Sequence, residues 1–292
     1  MKIMITGSGG QLGSEIIKQA RGPQVETLAM NHGDLDITRP DQTRRTIAEL
    51  APDMVINASA YTNVDGAETH TEAAYAVNRD GPANLAAACS ALAIPLIHIS
   101  TDFVFDGRKK TPYLESDPVS PLSIYGKSKA EGEAAVRTAL QQHLIVRTSW
   151  LYSEHGHNFV KTMLNLGRER EQLSVVADQY GCPTGAADLA GAILTMAKKI
   201  IAGDKIRWGT YHYSGKGTTT WHGFAEAIFK LAASREKLKI RQVKPITTDQ
   251  YPLPARRPLY SSLDCGLILD QFGVQTMPWE QSLVTVIGKI YS

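Results

Sequence analysis

Lys2-Ile-Met-Ile-Thr6 runs directly into Gly7-Ser-Gly-Gly10-Gln-Leu-Gly13, and that into Ser14-Glu-Ile-Ile-Lys-Gln-Ala20. The first stretch reads as a short buried strand and the last has helical periodicity. Strand, glycine loop, helix is the setting in which a Gly-x-x-Gly-x-x-Gly spacing carries chemistry. Gly7 would make the tight turn, Gly10 would let backbone approach a pyrophosphate, and Gly13 would let helix pack on strand. The N–H groups at the start of the helix then face the phosphates. The bland alternative is a structural turn with no ligand; the position of the motif favours a dinucleotide.

The pattern repeats down the chain. Strands are expected at Val25–Met30, Asp53–Asn57, Pro95–Ile99 and His143–Thr148, with helices between them. Five strands alternating with helices give an α/β fold, a doubly wound parallel sheet. An acid at the end of the second strand would bind a ribose 2′-OH and select NAD. The chain instead reads Met30-Asn31-His32, with Arg39 a distant candidate for a 2′-phosphate. Absence of the acid leans the reading toward NADP(H), with NAD(H) left open.

Ser100-Thr101-Asp102 follows the fourth strand, where open α/β sheets bind ligands. His98, inside that apolar strand, reads as a packed histidine. Ser120-Pro-Leu-Ser-Ile-Tyr125-Gly-Lys-Ser-Lys129 then puts a tyrosine and a lysine on one helical face, a turn apart. The cation would favour phenolate and lower the tyrosine's pKa from near ~10. A phenol so tuned can pass a proton to a substrate oxygen. Among 11 tyrosines such a pair arises by chance often enough that spacing alone is weak. Thr101 is the natural third member, its hydroxyl able to reach the same oxygen. Trp150 and Tyr152, beyond the fifth strand, read equally as pocket lining or core.

Composition excludes several classes. Hydrophobic residues make up 43% and net charge is +2, too balanced for a nucleic-acid or anionic-membrane partner. No apolar run approaches the ~18 residues of a membrane helix, and the start is too short in apolar residues for a signal peptide. The three widely spaced cysteines suit a reducing cytoplasm. No Cys/His cluster has zinc spacing. After residue 149 the pattern loosens. The expected division is a Rossmann domain at 1–149, with 172–213 returning to it, and a smaller α+β substrate-binding region at 150–171 and 214–292. Arg256-Arg257 lies in an irregular stretch, either solvent-facing or a clamp for a diphosphate.

Taken together, Gly7-x-x-Gly10-x-x-Gly13, Ser100-Thr101-Asp102 and Tyr125-x-x-x-Lys129 resemble the extended short-chain dehydrogenase/reductase family. Asn57-Ala-Ser-Ala-Tyr-Thr-Asn-Val-Asp65, Val146-Arg-Thr-Ser-Trp-Leu-Tyr152 and Asp178-Gln-Tyr-Gly-Cys-Pro-Thr184 extend the resemblance over nearly the whole chain. It implies a sheet domain with a cap, and hydride transfer from NAD(P)H to C4 of a dTDP-linked sugar, dTDP-4-dehydro-β-L-rhamnose. Tyr125 would be the proton donor, Lys129 would tune it and hold the nicotinamide ribose, and Thr101 would orient the sugar. Asp102 and Trp150 would contact the rhamnosyl group. Gly10, Gln11, Leu12, Asp36, Ile37, Ala60, Tyr61 and Thr62 match cofactor positions. Some members dimerise around a Mg²⁺ held by glutamates, so the resemblance allows a homodimer. Glu15 matches one such position, but Ala187 stands where a second glutamate would be, with Asp188 next to it, and no metal site is expected. The rival readings are a nucleotide-sugar epimerase of the same family and a non-catalytic regulatory subunit of a methionine adenosyltransferase.

Overall fold

The computed structural model describes residues 1–20 and 25–292. Six strands form one sheet: β1 (Lys2–Thr6), β2 (Glu26–Met30), β3 (Met54–Asn57), β4 (Leu96–Thr101), β5 (His143–Thr148) and β6 (Gly209–His212). Their order is β6-β5-β4-β3-β1-β2, and every neighbouring pair is parallel. Strands buried on both faces need apolar residues at successive positions. In β1, Ile3 and Ile5 enter the core on one face and Met4 the core on the other, following the two-residue alternation of a strand. Helices α1 (Gln11–Gln19) and α2 (Pro40–Leu50) follow β1 and β2. The helix Ala186–Ile201 covers the same face as α1, with Leu189, Ile193 and Met196 in the core beside Ile16. On the other face Leu85, Cys89 and Val136 pack with Ile47.

The chain runs from β1 outward to β2 and returns to β3 on β1's other side. The carboxyl ends of β1 and β3 are therefore a switch point, the place where such sheets bind ligands. Gly7 sits there with φ +70. A Cβ on it would lie 2.7 Å from the Ala58 carbonyl carbon, so both the left-handed backbone and the close approach require glycine. A Cβ on Gly13 would meet the Gly7 carbonyl oxygen at 2.3 Å. That glycine sets how closely α1 packs on the loop.

A second lobe has its own core, built from Val160, Met163, Leu173, Val175, Phe224, Ile228, Leu283 and Val286 among others. Two parts of the expected division fall elsewhere. Gln172–Val176, expected to return to the large sheet, pairs in parallel with Gln242–Ile246 and packs in the second core. Conversely, Ile268, Phe272 and Val274, expected in the substrate region, pack under the large sheet. The reason is the same for both: a strand or short helix goes where an apolar face lacks cover, and local pattern does not name the partner.

The helix that carries Tyr125 and Lys129, α3 (Ile124–Ala139), opens on a Ser123 cap whose hydroxyl accepts from the Gly126 N–H at 3.2 Å. It is pinned to β5 by a buried pair. Arg147 donates to both Glu133 oxygens, at 2.8 and 2.7 Å, and Glu133 has no exposed surface. Among the described residues, no helix is long and apolar enough to cross a membrane.

Candidate active site

A cleft of about 1270 Å³ opens at the switch point. Its lining includes Gly7, Gly10, Gln11 and Leu12 from the glycine loop, and Asp36 and Ile37 from the segment after β2. Ala60, Tyr61 and Thr62 contribute from beyond β3, Thr101 and Asp102 from the end of β4. Tyr125, Lys129 and Trp150 complete it. Gly13, the remaining glycine of the motif, lines nothing and packs behind the loop. Residues named from separate stretches of sequence thus share one cavity.

The loop end has the close-packed glycine turn that a dinucleotide would need. Gly10 N–H donates to Gly7 O at 3.0 Å, closing the turn that leads into α1. Gln11 Oε1 accepts from Ser153 Oγ at 3.1 Å and from Asn158 Nδ2 at 2.9 Å. Asp36 takes hydrogen bonds from the Thr38 hydroxyl at 2.7 Å and its N–H at 3.1 Å, which hold its carboxyl below the usual range. Asn31 and His32 line the cleft after β2. The Asn31 side chain is spent on the turn, accepting from Gly33 N–H at 2.7 Å. Arg39 pairs with Asp36 at 3.4 Å.

At the other end the tyrosine differs from expectation. Tyr125 is half-buried at the cleft wall, and desolvation pushes its pKa up to about 12, against a hydrogen bond with Thr101 that lowers it. Lys129 is not among the groups that shift it; its ammonium donates to the Ile99 carbonyl at 2.6 Å. The ammonium is itself buried and driven down to about 8, with Glu133 one turn on opposing the fall. A phenol in this state is protonated at neutral pH, the form that donates. Thr101 Oγ1 donates to Asp102 Oδ1 at 3.1 Å. Burial raises the Asp102 carboxyl to about 6, and the Ser261 and Thr101 hydroxyls pull against it. Ser100 Oγ, Asp102 Oδ2 and Thr148 Oγ1 are buried without hydrogen-bond partners, all on residues lining the cleft. Unpaired buried polar atoms are costly, and these three could be satisfied by a polar ligand in the cleft. His98 is fully buried, bonded through Nδ1 to Asn57 Nδ2 at 3.0 Å, and desolvation holds its pKa far down. It is packing, as its strand position implied.

Two residues that the sequence did not single out hold the site together. Asn78 lies in a π-helical turn, Ala76–Asp80, and is fully buried. Its Oδ1 accepts from Tyr61 N–H at 2.9 Å, and its Nδ2 donates to Tyr61 O and to Ser128 Oγ, both at 3.1 Å. Ser128 Oγ donates on to Tyr125 O at 2.8 Å. One side chain therefore fixes the 60–62 loop to the tyrosine helix. Trp221 stacks on Trp150 at 3.5 Å with rings 4° from parallel. Trp150 is held at φ +46, a conformation costly for a bulky residue and concentrated at functional sites.

A second cavity of about 1590 Å³ continues from the first. Phe159, Thr162, Trp221 and Arg257 line both. Arg257 is oriented by Asp65, at 3.1 and 2.7 Å, while Arg256 beside it also lines the outer cavity.

Comparison with known proteins fits this geometry. A dTDP-4-dehydrorhamnose reductase of Sinorhizobium fredii is 42% identical over 285 residues, 97% of this chain and 95% of that protein. One from Aggregatibacter actinomycetemcomitans is 43% identical over 98% of each. The crystal structure of a dTDP-4-dehydrorhamnose reductase of Clostridium acetobutylicum superposes with a TM-score of 0.93 at 42% identity, covering 100% of both chains. That of the Bacillus anthracis reductase, in complex with NADP, gives 0.90 at 38% identity over 99% of each. A Thermus thermophilus UDP-glucose 4-epimerase, 19% identical, shares the fold. The model of the RmlD substrate binding domain family matches residues 1–292, and the chain belongs to that family.

Proposed function

We propose that this protein is an NADP(H)-dependent oxidoreductase that reduces the C4 keto group of dTDP-4-dehydro-β-L-rhamnose to give dTDP-L-rhamnose. The observation that carries this reading is the single cleft holding a glycine loop at one end and a protonated, partly buried Tyr125 with Thr101 at the other. Gly7, Gly10, Gln11 and Leu12 would hold the pyrophosphate, and Asp36, Ile37 and Ala60 to Thr62 the adenosine half. When bound, NADPH supplies the hydride. Lys129 would hold the nicotinamide ribose and, while charged, favour negative charge developing nearby. Tyr125 would give its proton to O4 as the C4 alkoxide forms, and Thr101 would orient that oxygen. Asp102, with an unpaired oxygen, and Trp150 would take the sugar ring. The nucleotide would lie in the second cavity, the diphosphate passing Arg257 and Trp221 where the two meet.

NADPH is preferred over NADH in this proposal. Asn31 and His32 rather than an acid follow β2 and line the cleft, and the nearby Asp34 carboxylate is taken up by the Asn31 N–H at 2.9 Å. The test follows coenzyme absorbance with the protein and dTDP-4-dehydrorhamnose generated in situ. Oxidation that depends on the sugar, faster with NADPH than with NADH at equal concentration, is the expected result. Retained NAD and no net oxidation would favour an epimerase. Silence with both coenzymes from protein that binds them would favour the regulatory-subunit reading.

A further inference from the structure

Away from the cleft, α1 carries a nearly buried carboxylate, Glu15, 1% exposed. It meets two other parts of the chain. One is the loop after Tyr152, which brings Glu154 and His155. The other is the C-terminal helix Trp279–Ile290, which brings Lys289. One ligand atom each from Glu15, Glu154 and His155 lie within 4.8 Å of one another. Glu15 Oε1 and Glu154 Oε2 are buried with no hydrogen-bond partner. Two carboxylates and an imidazole are a donor set that a Mg²⁺ or another divalent ion would accept. That raises directly whether the metal of some family members has a place here.

The surrounding charges do not fit one. Lys18 Nζ lies 3.9 Å from Glu15 and 3.2 Å from Glu154. Lys289 Nζ lies 3.8 Å from Glu15 and 3.2 Å from Glu154. Two ammoniums already balance two carboxylates. A divalent ion about 2 Å from these oxygens would sit against both ammoniums, beside carboxylates that are themselves mostly buried. Glu154 is held down to about 2, against the cost of its burial, by its own backbone and by Lys289 and Lys18.

We infer that Lys18 and Lys289 occupy the role of a divalent cation, closing an ionic joint that fastens the C-terminal helix and the 153–158 loop to α1. The joint has a consequence for the cleft. Ser153 and Asn158, in or beside the same loop, are the side chains that hold Gln11 Oε1 at the glycine loop. The C-terminal helix belongs to the second lobe's core through Leu283 and Val286. The joint therefore ties that lobe to the cofactor helix.

The test uses thermal unfolding of the full-length protein with Mg²⁺ or with EDTA. The wild-type midpoint should be the same in both. In Lys18→Met/Lys289→Met the midpoint in EDTA should fall by about 2–4 °C. Mg²⁺ should restore it saturably, because the freed carboxylates and His155 then form a cation site. Should the double variant fail to fold, Lys289→Met alone should show the same restoration, smaller in size. A wild-type midpoint that rises with Mg²⁺ or falls with EDTA would overturn the inference. So would an unmoved midpoint in the double variant, or one that falls and ignores Mg²⁺.

Discussion

Replacing Tyr125 by Phe should lower kcat about 10²–10⁴-fold, the usual worth of a positioned general acid, while KM for NADPH stays close to its wild-type value. The substitution removes one oxygen and little else. The ring packs edge-on against Phe103, with centroids 5.5 Å apart at 76°, and phenylalanine keeps that contact. The backbone carbonyl still accepts from Ser128. What disappears is a phenol raised to about 12 by burial, so protonated throughout the neutral range, beside the hydroxyl of Thr101. Reduction needs a donor at O4, and a raised phenol suits that direction better than a phenolate. Steady-state kinetics with both substrates varied check this. A variant with wild-type kcat would remove Tyr125 from the role.

Lys129→Met should also cost activity, about 10²-fold or more on the same scale, but with the opposite effect on stability. The ammonium is buried and held at about 8 rather than 10.5, so its charged form is disfavoured by folding. On the order of 3 kcal/mol is at stake, since each pKa unit is about 1.4 kcal/mol. The sign follows from proton counting. Below about pH 8 both folded and unfolded states carry the proton, and stability from this group does not change with pH. Between about 8 and 10.5 only the unfolded state does, so wild-type stability should rise with pH there. Turnover should fall over the same rise, as the charge is lost. Methionine fills the space without the charge. Urea unfolding should find the variant at least as stable as wild type at pH 7, without the alkaline gain. A variant that keeps wild-type turnover, or that retains the gain, would contradict the assignment.

These two residues show how far the sequence could be read. Their spacing placed both on one helical face, and the glycine loop placed a dinucleotide at the other end of the cavity. Parallel strands announced themselves through short apolar runs, because a strand covered on both faces is predominantly apolar. Three things were not legible. The upward shift of Tyr125 was not legible because spacing gives the neighbouring lysine but not the desolvation that raises the phenol. The strand 172–176 was assigned to the wrong sheet because its partner, Gln242–Ile246, contains Pro245 and two polar side chains and lacks a strand's alternation. Asn78 gave no signal because its reach depends on a single π-helical turn that puts its side chain between two elements. Trp221 reads as an ordinary helix start after its Thr220 cap, and only the stack with Trp150 brings it to the cleft.

The central claim is that this cleft carries a hydride to C4 of a dTDP-linked 4-keto sugar and a proton to its oxygen. The most direct test is to run the reaction with NADPH deuterated at C4 of the nicotinamide and examine the sugar product by NMR and mass spectrometry. The account predicts dTDP-L-rhamnose with one deuterium, on sugar C4, and stoichiometric loss of label from the coenzyme. Unlabelled sugar with the deuterium retained on the coenzyme would contradict it.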